Sequence, residues 1–376
     1  MDAGQLPGVS AEEIARARQP LEDAWTLPPA AYVRPDIQAL EAERILRRSW
    51  TPLARVDQAP QPGDFIAMDL AGQPVLLVHG LDGELRVMAN VCRHRAAPIA
   101  HGQGRRKLFT CPYHAWSYDT EGRLAAAPLM DEARDFRRED CRLTQFRSEV
   151  WEGFVMANLD PEAAPFAPQV ETLRRYFEAF GVADMVVART LTYDSGWNWK
   201  VLVENFMEAY HHLAAHAQTL EPGFHARDSS IPDNDGPWSI LHMPAAAPDP
   251  DRPRLIQGLS EWQAGALFAA VAFPHFMLAL HGDGMAWYQV LPTTAGDRFT
   301  LKIHVCVPRH VLEMDAAEHI VAELEQVTAA IHAEDIVVND LVWRGLNAPA
   351  TGQGRLSPLE RSIWQMNQWW LARMGA

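Results

Sequence analysis

The sequence predicts an α+β protein in which a small all-β module lies inside a larger α+β domain. Alternating apolar residues broken by Gly-Gln-Pro and Asp-Gly turns indicate strands between about 64 and 92. Apolar residues at helical spacing indicate long helices at about 311–342 and 357–374. A Pro- and Ala-rich stretch, 160–169, is the expected boundary between the strand-rich module and the rest of the larger domain.

Each segment has its own pattern. We expect a helical N-terminal part of the larger domain at 1–46, the β-module at 47–160, and the rest of the larger domain at 170–376. Ser10 and Glu13 form a capping-box pattern that predicts a short helix. The remaining predicted elements are helices at 35–50, 170–180 and 199–220 and strands at 185–197, 284–292 and 298–307.

Composition excludes several classes of protein. The net charge of -15 disfavours binding to nucleic acid or to anionic membranes. No basic region followed by an apolar stretch begins the sequence, and the longest apolar run, 264–280, is broken by Pro274 and His275, so we expect a cytoplasmic protein and no membrane. Four cysteines in 376 residues are not a disulfide framework. We expect Cys141 and Cys306 to be buried structural thiols.

Two cysteines and two histidines form the first chemical motif, within "NVCRHRAAPIAHGQGRRKLFTCPYHAW" at residues 90 to 116. Cys92 and His94 are spaced C-x-H, and Cys111 and His114 are spaced C-x-x-H. Each pair lies in a predicted loop between strands, where thiolate and imidazole are able to face one metal centre. His101 lies inside the motif but fits no ligand position.

Zinc and a [2Fe–2S] cluster are the two centres that suit this donor set. Zinc fingers place their second pair on a helix, whereas here each loop supplies one cysteine and one histidine. In a Rieske cluster two thiolates bind one iron and two imidazoles bind the other, which raises the reduction potential. The spacing favours the cluster and leaves a structural zinc ribbon as the alternative.

The motif, followed by "AWSYD" and "GRL", resembles the Rieske domain of the large (α) subunit of the Rieske non-haem iron oxygenases. The resemblance implies a [2Fe–2S] domain inserted in a helix-grip catalytic domain that carries mononuclear Fe(II). It covers about 45 to 220 strongly and extends more weakly to 345.

Three histidines between 197 and 220 are candidates for the second metal. Non-haem iron sites of this kind use two imidazoles and one carboxylate. On an ideal helix His212 and His216 share a face, whereas His211 and His216 are about 140° apart. Helical geometry alone therefore prefers His212, and His211 requires an irregular helix, for example one with a π-bulge.

The resemblance instead favours His211 and His216 as the iron ligands. In the family an acidic residue is followed by two residues and a histidine, and then by four residues and a second histidine. It assigns Glu208 to the acidic position, where family members usually have Asp, as a bridge towards the Rieske histidine of a neighbouring subunit. Asn205 and Tyr210 are expected to lie around the iron ligands and to support them, with Asn205 counted among the catalytic residues. The resemblance gives Asp335 as the third ligand, with Asp340 and Glu334 as rivals.

The resemblance implies an enzyme that uses O₂ and electrons from an NAD(P)H-dependent reductase or a ferredoxin, as a homotrimer arranged head to tail. With Glu208 in place of the usual Asp, the sequence resembles the branch of the family that hydroxylates or demethylates quaternary ammonium compounds. Oxidation of an aromatic ring and a non-catalytic Rieske electron carrier stay open as alternatives. The expected pocket residues are aromatic or histidine side chains of the later strands: Trp238, His242, Phe276, Trp287 and Tyr288.

Overall fold

The computed structural model describes residues 6–249, 252, 254–293 and 295–376. The chain divides into two compact units. One comprises Met1–Leu46 together with Pro165–Ala376, and the other comprises Arg47–Ala164. Within the described parts of the chain, none of the helices has both the length and the apolar character that crossing a bilayer requires.

The 47–164 unit is built from short antiparallel strands. Its strands are β1 (Thr51–Arg55), β2 (Asp64–Leu70), β3 (Gln73–His79), β4 (Leu85–Ala89), β5 (Gln103–Arg105), β6 (Leu108–Thr110), β7 (Ser117–Asp119), β8 (Leu124–Ala126), β9 (Arg147–Trp151) and β10 (Phe154–Asn158). They form three sheets, in the orders β4-β3-β2-β5, β6-β7-β8 and β1-β10-β9. Alternating side chains of β3 separate two cores: Leu76 and Val78 pack in one, and Val75 and Leu77 pack in the other.

The larger unit contains the described α-helices and one six-stranded sheet. The helices are α1 (Ala11–Ala17), α2 (Ala30–Val33), α3 (Pro35–Arg44), α4 (Glu171–Phe177), α5 (Trp199–Phe206), α6 (Glu261–Ala264), α7 (Ala317–Leu346) and α8 (Arg361–Met374). The strands are β11 (Met185–Ser195), β12 (Trp238–Pro244), β13 (Ala266–Ala272), β14 (Phe276–His281), β15 (Gly284–Pro292) and β16 (Phe299–Pro308). The sheet is antiparallel, in the order β11-β16-β15-β14-β13-β12. The long helix α7 packs against β11, β16 and α5.

The predicted α+β class is confirmed, with an antiparallel β-module and a domain of sheet and long helix. The apolar run 264–280 forms two neighbouring strands, β13 and β14, joined at Pro274. The capping box of Ser10 and Glu13 is present at the start of α1. The prediction of one helix over 199–220 is wrong, since α5 ends at Phe206 and a 3₁₀ turn follows at Tyr210–Leu213.

A buried ion pair anchors α5 to the N-terminal helices. Lys200 Nζ lies 2.6 Å from Glu41 Oε1, and both side chains are essentially inaccessible to solvent. The indole N–H groups of Trp199 and Trp370 also donate to the Glu41 carboxylate, at 2.9 and 2.5 Å. These hydrogen bonds satisfy a charge that would otherwise be costly to bury, and they fix α5, which leads into the histidine cluster.

Candidate metal centres

Two loops of the 47–164 unit each present one thiol and one imidazole. Cys92 lies in the loop after β4, and Cys111 follows β6 directly. In both loops the cysteine N–H donates to the carbonyl oxygen five residues later, which belongs to Ala97 (2.9 Å) or to Trp116 (2.8 Å). The two loops therefore close by the same backbone contact.

The position four residues after each cysteine has the same unusual conformation in both loops. Ala96 and Ala115 both have a φ of 57°. Their N–H groups donate to the carbonyl oxygens of Cys92 and Cys111, at 3.0 and 3.1 Å. An alanine in the left-handed region is disfavoured, so this turn is held by the hydrogen bonds around it.

The thiols lie inside and the imidazoles lie outside. Cys92 and Cys111 are each 3% exposed, whereas His94 and His114 are exposed, with ring centroids 4.6 Å apart. Trp116 stacks on His94 with centroids 4.9 Å apart. This donor set, two buried thiols and two adjacent imidazoles, fits a Cys₂His₂ cluster whose imidazole side is the accessible one.

Tyr118, on β7, contacts the first loop from the buried side. Its hydroxyl oxygen accepts from the N–H of Arg93 at 2.9 Å and lies 3.4 Å from Cys92 Sγ. Because the oxygen accepts from Arg93, its own hydrogen is free to point at a sulfur that has lost its proton. The sequence motif does not reveal this contact, since Tyr118 lies beyond the last predicted ligand.

The second cluster follows α5 in the larger unit. The Glu208 carboxylate accepts from the backbone N–H groups of Tyr210 and His211, the latter at 3.2 Å. A side chain that binds backbone N–H groups competes with helical hydrogen bonds, which is why the predicted helix stops here. The same carboxylate accepts from Nδ1 of His211 at 2.6 Å.

Three side chains converge at this point. Donor atoms of His211, His216 and Asp335 all lie within 4.8 Å of one another. Asp335 Oδ1 lies 2.9 Å from Nε2 of His216 and 3.7 Å from Nε2 of His211. Two imidazoles and one carboxylate, held at this spacing and largely buried, fit a mononuclear iron site with open positions.

A second set of side chains orients these three. Glu334 Oε2 accepts from Nδ1 of His216 at 2.7 Å and from the Thr219 hydroxyl at 2.6 Å. Glu334, a rival ligand in the sequence, thus contacts the far side of a histidine ring. The other rival, Asp340, is exposed on α7 and is not part of the converging group.

Burial and charge set the protonation of the histidines differently. Burial lowers the pKa of His212 to about 4, with a further lowering by the charges of His211 and His216. Burial also acts to lower the pKa of His216, but the hydrogen bonds and charges of Asp335 and Glu334 raise it above its usual value. His212 is buried with Nδ1 3.5 Å from the Phe224 carbonyl, and it is not part of the converging group.

A cavity of about 570 Å³ opens beside this cluster. Asn205, Glu208 and Tyr288 line it together with the three converging residues. Phe206 and Tyr288 pack with ring centroids 4.9 Å apart on its wall. This volume lies in the range of pockets that hold drug-sized ligands.

Four of the five expected pocket residues lie elsewhere. Trp238, Phe276 and Trp287 are buried in the core, and His242 lines a separate cavity of about 250 Å³. All four point to the opposite face of the sheet from Tyr288, since neighbouring residues of a strand alternate between faces. The expectation that they line the cavity beside the histidines is therefore wrong.

Comparisons with known families agree with this architecture. Residues 182–376 match the family described as "Ring hydroxylating alpha subunit (catalytic domain)", and residues 49–146 match the "Rieske [2Fe-2S] domain". The chain therefore belongs to the ring hydroxylating alpha subunit family and carries a Rieske [2Fe–2S] domain. The predicted resemblance is confirmed, and the cluster and mononuclear iron are the cofactors of such a chain.

Similar individual proteins include oxygenases of quaternary ammonium compounds. A carnitine monooxygenase oxygenase subunit of Acinetobacter baumannii is 34% identical over 204 residues, which are 54% of this chain and 54% of that protein. The chain thus matches about half the length of that relative. A chloroplastic choline monooxygenase of Spinacia oleracea is 26% identical over 362 residues, 93% of this chain and 78% of the relative.

One solved structure shares the fold along nearly the whole chain. It is a quaternary ammonium Rieske monooxygenase in complex with an inhibitor, with a TM-score of 0.83 at 23% identity, covering 98% of this chain and 99% of that one.

Proposed function

We propose that the chain is the oxygenase subunit of a Rieske system that hydroxylates or oxidatively demethylates a small organic substrate, with quaternary ammonium compounds as the preferred class. The observation that carries the proposal is the convergence of His211, His216 and Asp335 beside a cavity of about 570 Å³. A Rieske electron carrier needs no second metal site of this kind. A zinc-ribbon interaction protein would not need these three converging side chains either.

The cofactors follow from the two donor sets. In this proposal Cys92, His94, Cys111 and His114 hold the [2Fe–2S] cluster, and the second set, His211, His216 and Asp335, holds Fe(II). When bound, the iron activates O₂ and the cluster supplies electrons one at a time. The protein's own part is to orient the ligands, since a second partner on each ring fixes its tautomer.

The rings of His211 and His216 are oriented in the same way. Each ring donates from Nδ1 to a glutamate, Glu208 or Glu334, and directs Nε2 towards Asp335. Both Nε2 atoms are thereby left as lone-pair donors on one side of the cluster. This arrangement supports a metal held by both Nε2 atoms and the carboxylate.

The cavity wall supports a cationic substrate. Phe206, Phe224 and Tyr288 present aromatic rings to the cavity, and Glu208 adds a carboxylate beside them. Aromatic faces and a nearby negative charge favour a quaternary ammonium group by cation–π and Coulomb attraction. The runner-up is hydroxylation of an aromatic ring, which the apolar part of the wall and the name of the matched family favour.

The proposed partners are a reductase or ferredoxin and further copies of the chain. His94 and His114 are exposed, so a reductase is able to approach the accessible side of the cluster. Tyr210 and Leu213, next to the second cluster, are 47% and 50% exposed, and large exposed hydrophobic side chains suit contact with a second copy. We propose a homotrimer in which Glu208 links the iron site to the cluster of a neighbouring chain.

Turnover of a substrate panel tests the proposal. Protein loaded with cluster and iron is supplied with electrons by a surrogate ferredoxin and its reductase, and O₂ uptake and product are measured with trimethylammonium compounds and with aromatic acids. We expect coupled uptake with the ammonium compounds. Product only from aromatic acids would establish the runner-up instead.

Variants His216→Ala and Asp335→Ala separate an oxygenase from an electron carrier. We expect both to keep the visible spectrum of the cluster and to lose the mononuclear iron and turnover. Full biological activity in an Asp335→Ala chain that lacks the second iron would contradict the oxygenase assignment. Light scattering of the holoprotein measures the trimer independently.

A further inference from the structure

The cavity extends along helix α7. Five α7 residues at intervals of three or four line it: Ile320, Leu324, Thr328, Ile331 and Asp335. Such residues share one face of a helix, and the fifteen steps of helical rise from Ile320 to Asp335 span about 22 Å. The histidine cluster is therefore at one end of an elongated space.

Arg254 lies at the other end. Its neighbour Leu255 packs against the same buried cluster of valines as Ile320 and Leu324, which lie near the start of α7. The Arg254 stem lies against Gly282, where a Cβ atom would be 2.7 Å from Arg254 Cδ. From Gly284, the first residue of β15, to Tyr288 beside Phe206 is about 13 Å along an extended strand. The distance along α7 and the distance along β15 both place Arg254 more than about 10 Å from the metal ligands.

Of the two described arginines at this far end, one is paired and one is not. Arg252 pairs with Asp283 at 2.7 Å, whereas Arg254 makes no ion pair with any described residue. Arg254 is half-buried and lines the cavity. Asp249 and Glu323 also line the cavity but are exposed, so solvent screens their charges more strongly. A half-buried arginine that lines a cavity and has no ion pair with a described residue is suited to bind a carboxylate or phosphate.

Small side chains make room between the two ends. Ala269, Ala279 and Ala286 are register partners on the neighbouring strands β13, β14 and β15, and all three line the cavity. These three alanines form a row across the sheet. Because their side chains are small, the cavity is wider here than it would be with larger side chains. Helix α7 adds Leu324 and Ile331 to the lining, so much of the wall between the two ends is apolar.

We infer that the cavity takes an elongated substrate whose oxidised end lies at His211, His216 and Asp335 and whose anionic group, more than about 10 Å away, pairs with Arg254. This inference rests on the proposed function for the reacting end. It adds a requirement that the quaternary ammonium class alone does not contain, namely an apolar body over the alanine row and a terminal anion.

Equilibrium binding of a homologous series tests it without turnover. The holoprotein, loaded with cluster and iron and kept free of O₂, is titrated calorimetrically with ω-trimethylammonio carboxylates of increasing methylene number and with their methyl esters. We expect the dissociation constant of the acids to fall with chain length. Arg254→Gln should raise it at least about tenfold for the long acids, because a charged hydrogen bond is lost, and should leave the esters unchanged. Arg309→Gln, an exposed arginine outside the cavity, is the matched control and should change neither.

A second variant and a second head group keep the outcomes distinct. Ala279→Phe should weaken binding of long acids while short ammonium compounds still bind. Affinity that is independent of length, or an Arg254→Gln effect equal for acids and esters, overturns the inference. The same length and Arg254 dependence in ω-phenyl carboxylates, without binding of the ammonium series, supports the elongated anionic substrate and rejects the quaternary ammonium head. Absence of binding in both series rejects the inference.

Discussion

His216 is held from both sides by consecutive residues of one helix. Glu334 accepts from its Nδ1 at 2.7 Å, and Asp335 Oδ1 lies 2.9 Å from its Nε2. Consecutive residues on a helix point about 100° apart, so the imidazole lies in the angle between two carboxylates. The orientation of the ring and the position of the proposed ligand are therefore set by the same helical turn.

Replacing Glu334 by alanine should weaken the second metal site. The loss of the Nδ1 acceptor frees the His216 ring and its tautomer, and partners of this kind contribute about 10- to 100-fold to metal affinity. Iron retained after dialysis against a weak chelator, counted against cluster absorbance, measures this. Asp340→Ala, six residues further along α7 and exposed, is the control and should retain iron. Equal retention by both variants would show that Glu334 does not orient the ring.

Replacing Glu208 by glutamine should lower turnover more than stability. The carboxylate accepts from two backbone N–H groups and from His211, and an amide has only one acceptor oxygen for these three donors. We expect product formation per reduced cluster to fall about tenfold or more, at unchanged iron content. Glu208→Asp keeps the charge and should recover part of the rate. If the Gln variant turned over as fast as the parent chain, the proposed role of Glu208 in electron transfer between chains would be wrong.

Replacing Tyr118 by phenylalanine should lower the reduction potential of the cluster. A hydrogen bond to a ligating sulfur stabilises the extra negative charge of the reduced cluster. The loss of one bond worth about 0.5–1.5 kcal/mol corresponds to a decrease of roughly 20–60 mV for a one-electron couple. Spectroelectrochemical titration measures the shift. Tyr176→Phe, in the larger unit, is the control and should leave the potential unchanged.

The pH dependence of stability should be governed in part by Glu204. Burial raises the pKa of its carboxyl to about 7 from the usual 4.5, although the hydrogen bond from Tyr32 opposes this. Between these values the folded chain holds a proton that the unfolded chain releases. The contribution of Glu204 to the free energy of unfolding therefore falls as the pH rises from 4.5 to 7.

The variant Glu204→Gln should remove this dependence. We expect it to match the parent chain near pH 5 and to be more stable at pH 8, by an amount on the order of 1 kcal/mol. Urea unfolding at pH 5, 6, 7 and 8 measures the difference. The exposed Glu313→Gln is the control and should follow the parent at every pH. A constant difference for Glu204→Gln across this range would contradict the raised pKa.

The β-module was predictable because its signals are local. Turn residues, strand alternation and the C-x-H and C-x-x-H spacings all act within a few residues of one another. The shared backbone conformation of Ala96 and Ala115 was not predictable, since nothing in an alanine indicates a positive φ. Tyr118 was missed for a related reason, because its contact with Cys92 depends on how β7 passes the loop.

The second centre was less predictable, because its partners come from distant segments. Helical periodicity favoured His212, and it failed because the Glu208 side chain captures backbone N–H groups and ends the helix. The resemblance to the family supplied His211, which lies with His216 and Asp335 in the structure. Trp287 and Tyr288 illustrate the remaining limit: a run that is apolar on both faces does not reveal which face borders a cavity.

Helix α7 contributes both to the cavity wall and to the metal site. Over its length of about 45 Å it supplies one wall of the cavity and both carboxylates around His216. A displacement that widened the cavity on this side would also move Asp335 and Glu334, so this wall is poorly suited to accommodate new molecules. Adaptation to a different substrate is left to the sheet, where Ala269, Ala279 and Ala286 are free to change size without touching the metal ligands. Divergence of substrate range in chains of this kind should therefore concentrate on β13, β14 and β15 and spare α7.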